Sequence, residues 1–253
     1  MIVSPAVLRI CKRPHRVKFR ARAIAGFVVA SLLMAGSSAA LAQEVRYSWF
    51  EIAFVQQDVD KNGTFTDSLI SQTVDASTSD GSGIKFRGSV GTWNHFFAFV
   101  DFSSSDVDVD AIISNNQGQF PASDEFDFTS IRGGIGLRRS LTQTLDVYGA
   151  LSLDSTDFDF GSFAGEDFDA DDKALGAVIG VRSMLGDNVE LRAHVRYSGV
   201  GDVDFDTGEL DDDTLFGVGF GYELIRGLSI TADYESGEFS SWNIGFRLDL
   251  DED

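Results

Sequence analysis

The side chains best suited to acid–base chemistry in this sequence are two histidines. Hydrolytic sites normally place a histidine within hydrogen-bond reach of a nucleophile or an activated water. Beyond residue 42 the histidines are His95 and His194, no serine lies two positions from either, and the Gly-x-Ser-x-Gly elbow of serine hydrolases is absent. His194 stands between Arg192 and Arg196, where an ion-pair role is favoured. The sequence therefore predicts a protein that is not an enzyme, with a hydrolase acting on lipid or peptide as an alternative.

A second possible chemistry is the binding of a divalent cation by oxygen ligands. One segment fits the early positions of a calcium-binding loop, with the candidate ligands Asp58, Asp60, Asn62 and Thr64. Gly63 supplies the glycine of such a loop, but the twelfth position is Leu69, where a bidentate glutamate belongs. A glycine-containing turn at the tip of a hairpin is therefore the favoured interpretation of this segment.

Aspartates also repeat at every second position in two stretches, from Asp106 to Asp110 and from Asp167 to Asp171. An extended strand would place each trio on one face, because successive side chains of a strand point to opposite sides. A flexible acidic loop would explain the same spacing. The sequence leaves both interpretations open.

Charged residues of both signs recur at alternate positions within otherwise apolar segments. The set consists of Glu51, Arg87, Arg132, Glu190, Arg192, His194, Arg196, Asp233, Glu235 and Arg247. Charges enclosed between apolar walls are tolerated only where they are paired or hydrated. We predict that these residues form a salt-bridge network in the interior of the molecule.

The elements that would position this network are strands. Two-residue alternation recurs throughout the chain beyond residue 42, and no stretch there has a convincing helical period. Between Val189 and Tyr197, for example, apolar and aromatic side chains fall on one face and charged ones on the other. Ten candidate strands follow, at 46–57, 82–91, 94–104, 126–138, 144–156, 173–184, 189–200, 213–224, 228–236 and 240–250. Their lengths suit tilted strands that cross a membrane, which need about 9–11 residues each.

The connections between these strands alternate between long and short, apart from a short final one near 236–238. The long connections are 58–81, 105–125, 157–172 and 201–212, and 25 of the 40 acidic residues lie in them or at their edges. Outer-membrane barrels have long outer loops and tight periplasmic turns. The predicted fold class is all-β: a transmembrane, antiparallel, up-and-down β-barrel of about ten strands, with eight as the alternative. A secreted soluble β-protein shares the alternation but is disfavoured by charges of both signs inside.

The alternation also assigns the two faces of the predicted barrel. The side chains expected to face lipid are Phe86, Ile131, Ile135, Leu151, Ile179, Val181, Phe216, Phe220, Ile230, Ile244 and Phe246. The charged network, Lys85 and a series of glycines fall on the inward face. A barrel of eight to ten strands is just wide enough to be filled by its own side chains. A wide pore is therefore disfavoured, whereas a narrow porin or channel stays open.

The first 42 residues have the pattern of an export signal. Seven basic residues precede an apolar run that is too short to span a bilayer, and Ala40-Leu41-Ala42 fits a cleavage site, so we expect a signal peptide at 1–42 and one barrel domain at 43–253. Loss of the seven bases moves the formal net charge from −20 to −27, which disfavours nucleic-acid binding. The only cysteine, Cys11, leaves with the signal, so the mature chain has no disulfide.

Two motifs at the ends of the mature chain resemble those of a known family. The final segment, Asn243-Ile244-Gly245-Phe246-Arg247-Leu248-Asp249-Leu250, resembles the outer-membrane insertion signal, whose characteristic positions here are Asn243, Gly245, Leu248 and Leu250. Leu250 stands where the family usually has an aromatic residue. The opening Tyr47-Ser48-Trp49-Phe50-Glu51 resembles the first strand of small proteobacterial outer-membrane barrels of the OmpA/OmpX-like and opacity-protein or porin-like type.

The resemblance implies a location and a set of partners. It implies Sec-type export to the outer membrane of a Gram-negative cell, insertion by the barrel assembly machinery, and a monomer surrounded by lipid and lipopolysaccharide. It also implies a role as envelope structure, adhesin or narrow channel, and for a few relatives as a hydrolase at the outer rim. No cofactor is expected, except that acidic loops beside lipopolysaccharide phosphates would need Ca²⁺ or Mg²⁺ between them.

Overall fold

The architecture is all-β within the residues that the computed structural model describes, which are 45–58, 62–67, 72–92, 95–163, 166–204, 209–237 and 240–250. The strands are β1 (Trp49–Asp58), β2 (Asn62–Asp67), β3 (Gln72–Thr92), β4 (Phe96–Asn115), β5 (Gly118–Ser140), β6 (Leu145–Phe163), β7 (Glu166–Leu185), β8 (Val189–Asp204), β9 (Glu209–Ile225), β10 (Leu228–Ser236) and β11 (Ser240–Asp249). None of these described segments contains a helix long and apolar enough to cross a membrane. The predicted signal peptide, 1–42, lies outside the described residues.

Ten of these strands close into a barrel. Each pairs antiparallel with its neighbours in the order β1-β11-β10-β9-β8-β7-β6-β5-β4-β3, and β1 pairs with β3 to complete the ring. β2 lies outside this ring and pairs with residues 72–77 of β3. The prediction of a ten-stranded antiparallel barrel is confirmed, and the eight-stranded alternative is wrong.

The strands extend much further than the sequence predicted. β4 and β5 have 20 and 23 residues, so that the expected loop at 105–125 is a paired hairpin with its turn at Asn116–Gln117. The expected loops at 157–172 and 201–212 are likewise largely strand. The sequence analysis ended these strands too early, because above the membrane aspartates replace the lipid-facing apolar side chains, as in Asp106-Val107-Asp108, and this pattern also fits an acidic loop.

The aspartate trios belong to these rising strands. The even-numbered positions from Asp106 to Asp110 are exposed, whereas Val107 between them is fully buried. The trio that ends at Asp171 lies in β7. The strand interpretation of the two trios therefore holds, and the flexible-loop interpretation does not.

The first outer hairpin also differs from expectation. β1 ends at Asp58, and Gly63 lies within β2, where it pairs with Ala76 of β3. The prediction of a glycine-containing turn around Gly63 is therefore wrong, because Gly63 lies in a paired strand.

The two faces of the barrel are those that alternation assigns. Among the outward side chains, Ile135, Leu151 and Ile179 are each more than 65% exposed. Inward positions hold the charged residues and several glycines. A Cβ at Gly217 would overlap the ring of His194, and one at Gly219 would overlap the carboxylate of Asp233. Glycine at these two inward positions therefore leaves the room that the luminal side chains occupy.

Candidate functional site

The centre of the lumen holds two carboxylates between two arginines. Glu51 of β1 is fully buried, and the strand register places it directly beside Arg87 of β3, which donates hydrogen bonds to it. Arg87 also reaches Asp233 of β10 at 2.5 Å, and Nη2 of Arg192 lies 3.0 Å from Oδ1 of Asp233. These pairs connect strands on several sides of the lumen.

Two further ion-pair groups lie beside this centre. In one, Nη2 of Arg132 donates to Oδ2 of Asp101 at 2.8 Å, and Nζ of Lys85 lies 3.6 Å from the same oxygen. In the other, Glu235 accepts from Nη2 of Arg196 at 3.2 Å and lies 2.7 Å from Nε2 of His194. Each carboxylate thus has two nitrogen-bearing partners, which offsets the cost of removing its charge from water.

Glu190 connects two arginines near the periplasmic end. Nε of Arg182 and Nη2 of Arg247 each lie 2.6 Å from one of its oxygens. Arg247 also lies 3.0 Å from Asp249. Because β8 and β11 are separated by two strands in the sheet, the contact between Glu190 and Arg247 crosses the lumen.

The structure places all ten residues of the predicted network in the lumen and pairs them with one another or with neighbouring charges. The sequence analysis missed three members, Asp101, Arg182 and Asp249. Asp101 follows the run from Phe96 to Val100, which is apolar on both faces and so hides which side is inward. The alternation that placed Ile179 outside could have identified Arg182.

Two neighbouring cavities lie in the middle part of the lumen. We call the one nearer the periplasm the lower chamber, with a volume of about 130 Å³, and the other the upper chamber, with about 90 Å³. Five charged residues line both and lie between them: Lys85, Asp101, Arg132, Arg196 and Glu235. We call these five the dividing layer. Its ion-paired side chains separate the two chambers.

The segment before β1 fills the periplasmic end of the lumen. Val45 and Tyr47 are buried in an apolar cluster with Phe97 and Ala150. The Tyr47 ring lies 5.2 Å from that of Phe97, and the guanidinium carbons of Arg138 and Arg182 lie 4.4 and 4.6 Å from its centroid. These cation–π contacts fix the segment inside the barrel.

The candidate cation loop is only partly described. Asp58 ends β1, Asn62 and Thr64 lie in β2 without described side chains, and Asp60 lies outside the described residues. In the part of the chain with described side chains, no group of three or more histidine or acidic residues forms a potential metal cage.

The two histidines considered for catalysis lie apart. His95 is exposed at the periplasmic turn between β3 and β4, where its carbonyl accepts a hydrogen bond from the backbone of Arg138. His194 contacts Glu235 in the lumen.

The last strand closes the ring. Inward-facing Asn243 is buried, and Oδ1 of Asn243 lies 3.4 Å from Nη2 of Arg87. A Cβ at Gly245 would overlap the backbone of β1, so this position requires a glycine for close pairing. Leu248 and Leu250 are exposed on the outer side. All four positions of the predicted assembly signal therefore lie at or next to the seam of the barrel.

A closed ten-stranded barrel with an apolar outer face and a charged, filled lumen defines a small outer-membrane β-barrel protein. Residues 27–223 match the model of the outer membrane protein beta-barrel domain. The chain belongs to this family and is located in the outer membrane of a Gram-negative bacterium.

Several solved structures resemble the chain at low identity. The outer membrane protein OprG from Pseudomonas aeruginosa is 14% identical with a TM-score of 0.44, covering 83% of this chain and 100% of OprG. The attachment invasion locus protein Ail of Yersinia pestis is 15% identical with a TM-score of 0.36, covering 81% and 100%. Neisserial surface protein A is 17% identical with a TM-score of 0.37, covering 82% and 100%. No curated protein matches the sequence significantly.

Proposed function

We propose that this protein is a non-enzymatic outer-membrane barrel that acts through its outer surface, as envelope structure or as a surface-interaction protein. The observation that carries the proposal is the filling of the lumen by the dividing layer and by the buried segment around Tyr47. A barrel closed in this way offers no wide diffusion path, so its interactions are made by the hairpins that rise above the membrane.

The closed lumen predicts that the wild-type protein gives no conductance steps in planar lipid bilayers. The matched positive control is the double variant Asp101→Ser and Arg132→Ser, which removes both partners of one pair in the dividing layer and so joins the two chambers. We expect small steps from this variant at the same protein density. Regular steps from the wild-type protein would contradict the closed lumen.

A narrow channel is the second candidate function. It is favoured by the two chambers, which are separated by a single layer of side chains rather than by packed backbone. The bilayer recordings distinguish the two functions directly.

The hairpin formed by β4 and β5 is the best-defined part of the outer surface. Its two strands pair without interruption from Asp106 and Asp127 to the turn, and Ile112 and Phe120 near the tip are each about half exposed. We propose that this hairpin contacts other surfaces, because exposed apolar side chains beside polar ones are typical of a site that binds another molecule.

Shortening this hairpin is expected to reduce adhesion without disturbing the barrel. The test replaces residues 109–124 with a two-residue Asn-Gly turn, which keeps the buried Val107 and Phe126 and preserves the paired strands below. Cells that express the variant should bind less to abiotic or host surfaces, while resistance to detergent and large antibiotics stays unchanged. Unchanged adhesion together with a leaky envelope would instead indicate a purely structural role.

We also propose that Ca²⁺ or Mg²⁺ associates with an acidic belt just above the lipid-facing surface. The register aligns Asp106 with Asp127, Asp127 with Asp159, and Asp159 with Asp169, so that four aspartate positions lie side by side across β4 to β7. Like charges directly opposite one another destabilise a sheet. Divalent cations that bridge this belt to lipopolysaccharide phosphates would relieve the repulsion and keep part of their water shell.

The belt predicts that Ca²⁺ raises the thermal stability of the protein in membranes that contain lipopolysaccharide. Replacing Asp106 and Asp127 with asparagine should reduce this increase, since it removes two of the four aligned aspartates. Asp187→Asn in a periplasmic turn is the matched control and should leave it unchanged. Equal responses of the two variants would contradict the proposed belt.

The chain is proposed to be a monomer inserted by the barrel assembly machinery. β11 pairs with both β1 and β10, so the described ring has no open edge for a second copy.

A further inference from the structure

The lower chamber is lined by charged and by aromatic side chains. The charged lining has more cations than carboxylates: Lys85, Arg87, Arg132, Arg182, Arg192 and Arg196, against Asp101, Asp233 and Glu235. The aromatic lining consists of Tyr47, Trp49, Phe97, Phe99 and Tyr148. Two of the arginines lie against these rings, Arg182 at 4.6 Å from the centroid of Tyr47 and Arg132 at 5.7 Å from that of Phe99. The proposed surface function uses none of these rings.

The acceptors of this chamber are already engaged, whereas several donors are not. Each of the three carboxylates contacts two basic side chains. In contrast, Nη2 of Arg182 and the Nε atoms of Arg132, Arg192 and Arg196 are buried without a hydrogen-bond acceptor among the described residues. Buried donors normally have partners, and donors on guanidinium groups favour an anionic one.

The aromatic lining of the chamber determines what kind of anion fits. Phe97 lies 6.1 Å from Tyr148 and 6.2 Å from Phe99, measured between ring centroids, so the three rings form a continuous apolar wall. At roughly 10–15 Å³ for each water, the 130 Å³ chamber has room for about ten water molecules, which is the size range of a one-ring acid. An inorganic ion would leave the apolar wall uncovered.

We propose that the lower chamber binds a small organic anion in which a carboxylate is attached to a flat apolar group. The carboxylate lies toward the arginines, and the flat group lies against the rings of Phe97, Phe99 and Tyr148. Sites with this division, largely apolar with a few convergent polar groups, are typical of small-molecule binding.

Benzoate is the probe for this site, and benzamide is its neutral counterpart of nearly equal shape. Calorimetric titration of the full mature protein, refolded in detergent micelles, should show saturable binding of benzoate at one site. Benzamide should bind at least about tenfold more weakly, since tenfold corresponds to ~1.4 kcal/mol and the charged contacts exceed that. Inorganic phosphate should also bind more weakly than benzoate.

Two neighbouring positions on β7 locate the binding. Val178 faces inward and lines the chamber, whereas Ile179 faces lipid. Val178→Phe fills the chamber without touching a charge and should abolish benzoate binding, and Ile179→Phe should leave it unchanged. Arg132→Gln, which leaves Lys85 beside Asp101, should weaken binding several-fold and serves as the test if Val178→Phe does not fold.

Four results would each overturn the proposal. They are the absence of benzoate binding, equal affinities for benzoate and benzamide, tighter binding of phosphate than of benzoate, and equal benzoate affinities of the two β7 variants. The first would mean that the chamber holds water alone, and the last would place the binding in the micelle or elsewhere on the protein.

Discussion

Replacing Glu190 with glutamine is expected to lower the free energy of unfolding by about 3–5 kcal/mol, because it removes the carboxylate that Arg182 and Arg247 share. Arg182 and Arg247 each lie 2.6 Å from Glu190, and the side chains of all three residues are less than 10% exposed. The glutamine keeps the shape of the side chain and one acceptor. The loss of stability therefore comes from removing the charge and not from a cavity.

Equilibrium unfolding in urea, with the protein in lipid vesicles, measures the effect. Asp171→Asn on the exposed outer face of β7 removes the same charge from a solvated position and should change the stability by no more than about 0.5 kcal/mol. Similar losses from the two variants would mean that total charge, and not the luminal pairing, determines the stability.

A double-mutant cycle separates the value of the pair from the cost of breaking it. Arg182→Met combined with Glu190→Leu replaces the pair with apolar groups and leaves Arg247 with Asp249, 3.0 Å away. Since removing both members of a buried pair is often nearly neutral, the double variant should be more stable than Glu190→Leu alone. The coupling between the two positions is then the stabilisation that the lumen obtains from this pair.

The parts of the fold that alternation determines could be predicted from the sequence. Within the membrane, one face of each strand meets lipid and the other meets charged side chains, so positions such as Ile179 and Arg192 identify their faces. Above the membrane aspartates take the place of the lipid-facing apolar side chains, as at Asp106 and Asp108 on either side of buried Val107, and this pattern fits an acidic loop as well as a strand. The contrast that reveals a strand is therefore supplied by the bilayer.

The pairings in the lumen could not be predicted in the same way. Alternation places Glu51 and Arg87 on the inward face, but only the register of β1 against β3 brings them side by side. Contacts across the lumen, such as Glu190 with Arg247, depend on the closure of the ring. A single sequence gives the residues of the network, and the topology gives their partners.

The bilayer that creates the alternation also makes the outer face intolerant of charge. Outward positions on β7 form an apolar series from Leu175 to Val181, and Ile179 lies within it with 68% of its surface exposed. Ile179→Arg is expected to lower the free energy of unfolding in vesicles by about 2–4 kcal/mol, the cost of placing arginine near the midplane of the membrane. The loss should become smaller in thinner bilayers, where the guanidinium reaches the headgroups more easily.

An arginine on the inward face should be tolerated far better if a partner is within reach. Val178, the neighbour of Ile179, is a poor control because it contacts the apolar cluster around Tyr47. Ser130 of β5 is a better one, since it lines the upper chamber together with Asp154, whose Oδ2 has no hydrogen-bond partner in the described lumen. Ser130→Arg places a cation beside that carboxylate and should cost well under half as much as Ile179→Arg. Equal losses from the two variants would mean that the faces of the barrel do not differ in solvation, and the assignment of a lipid-facing side would fail.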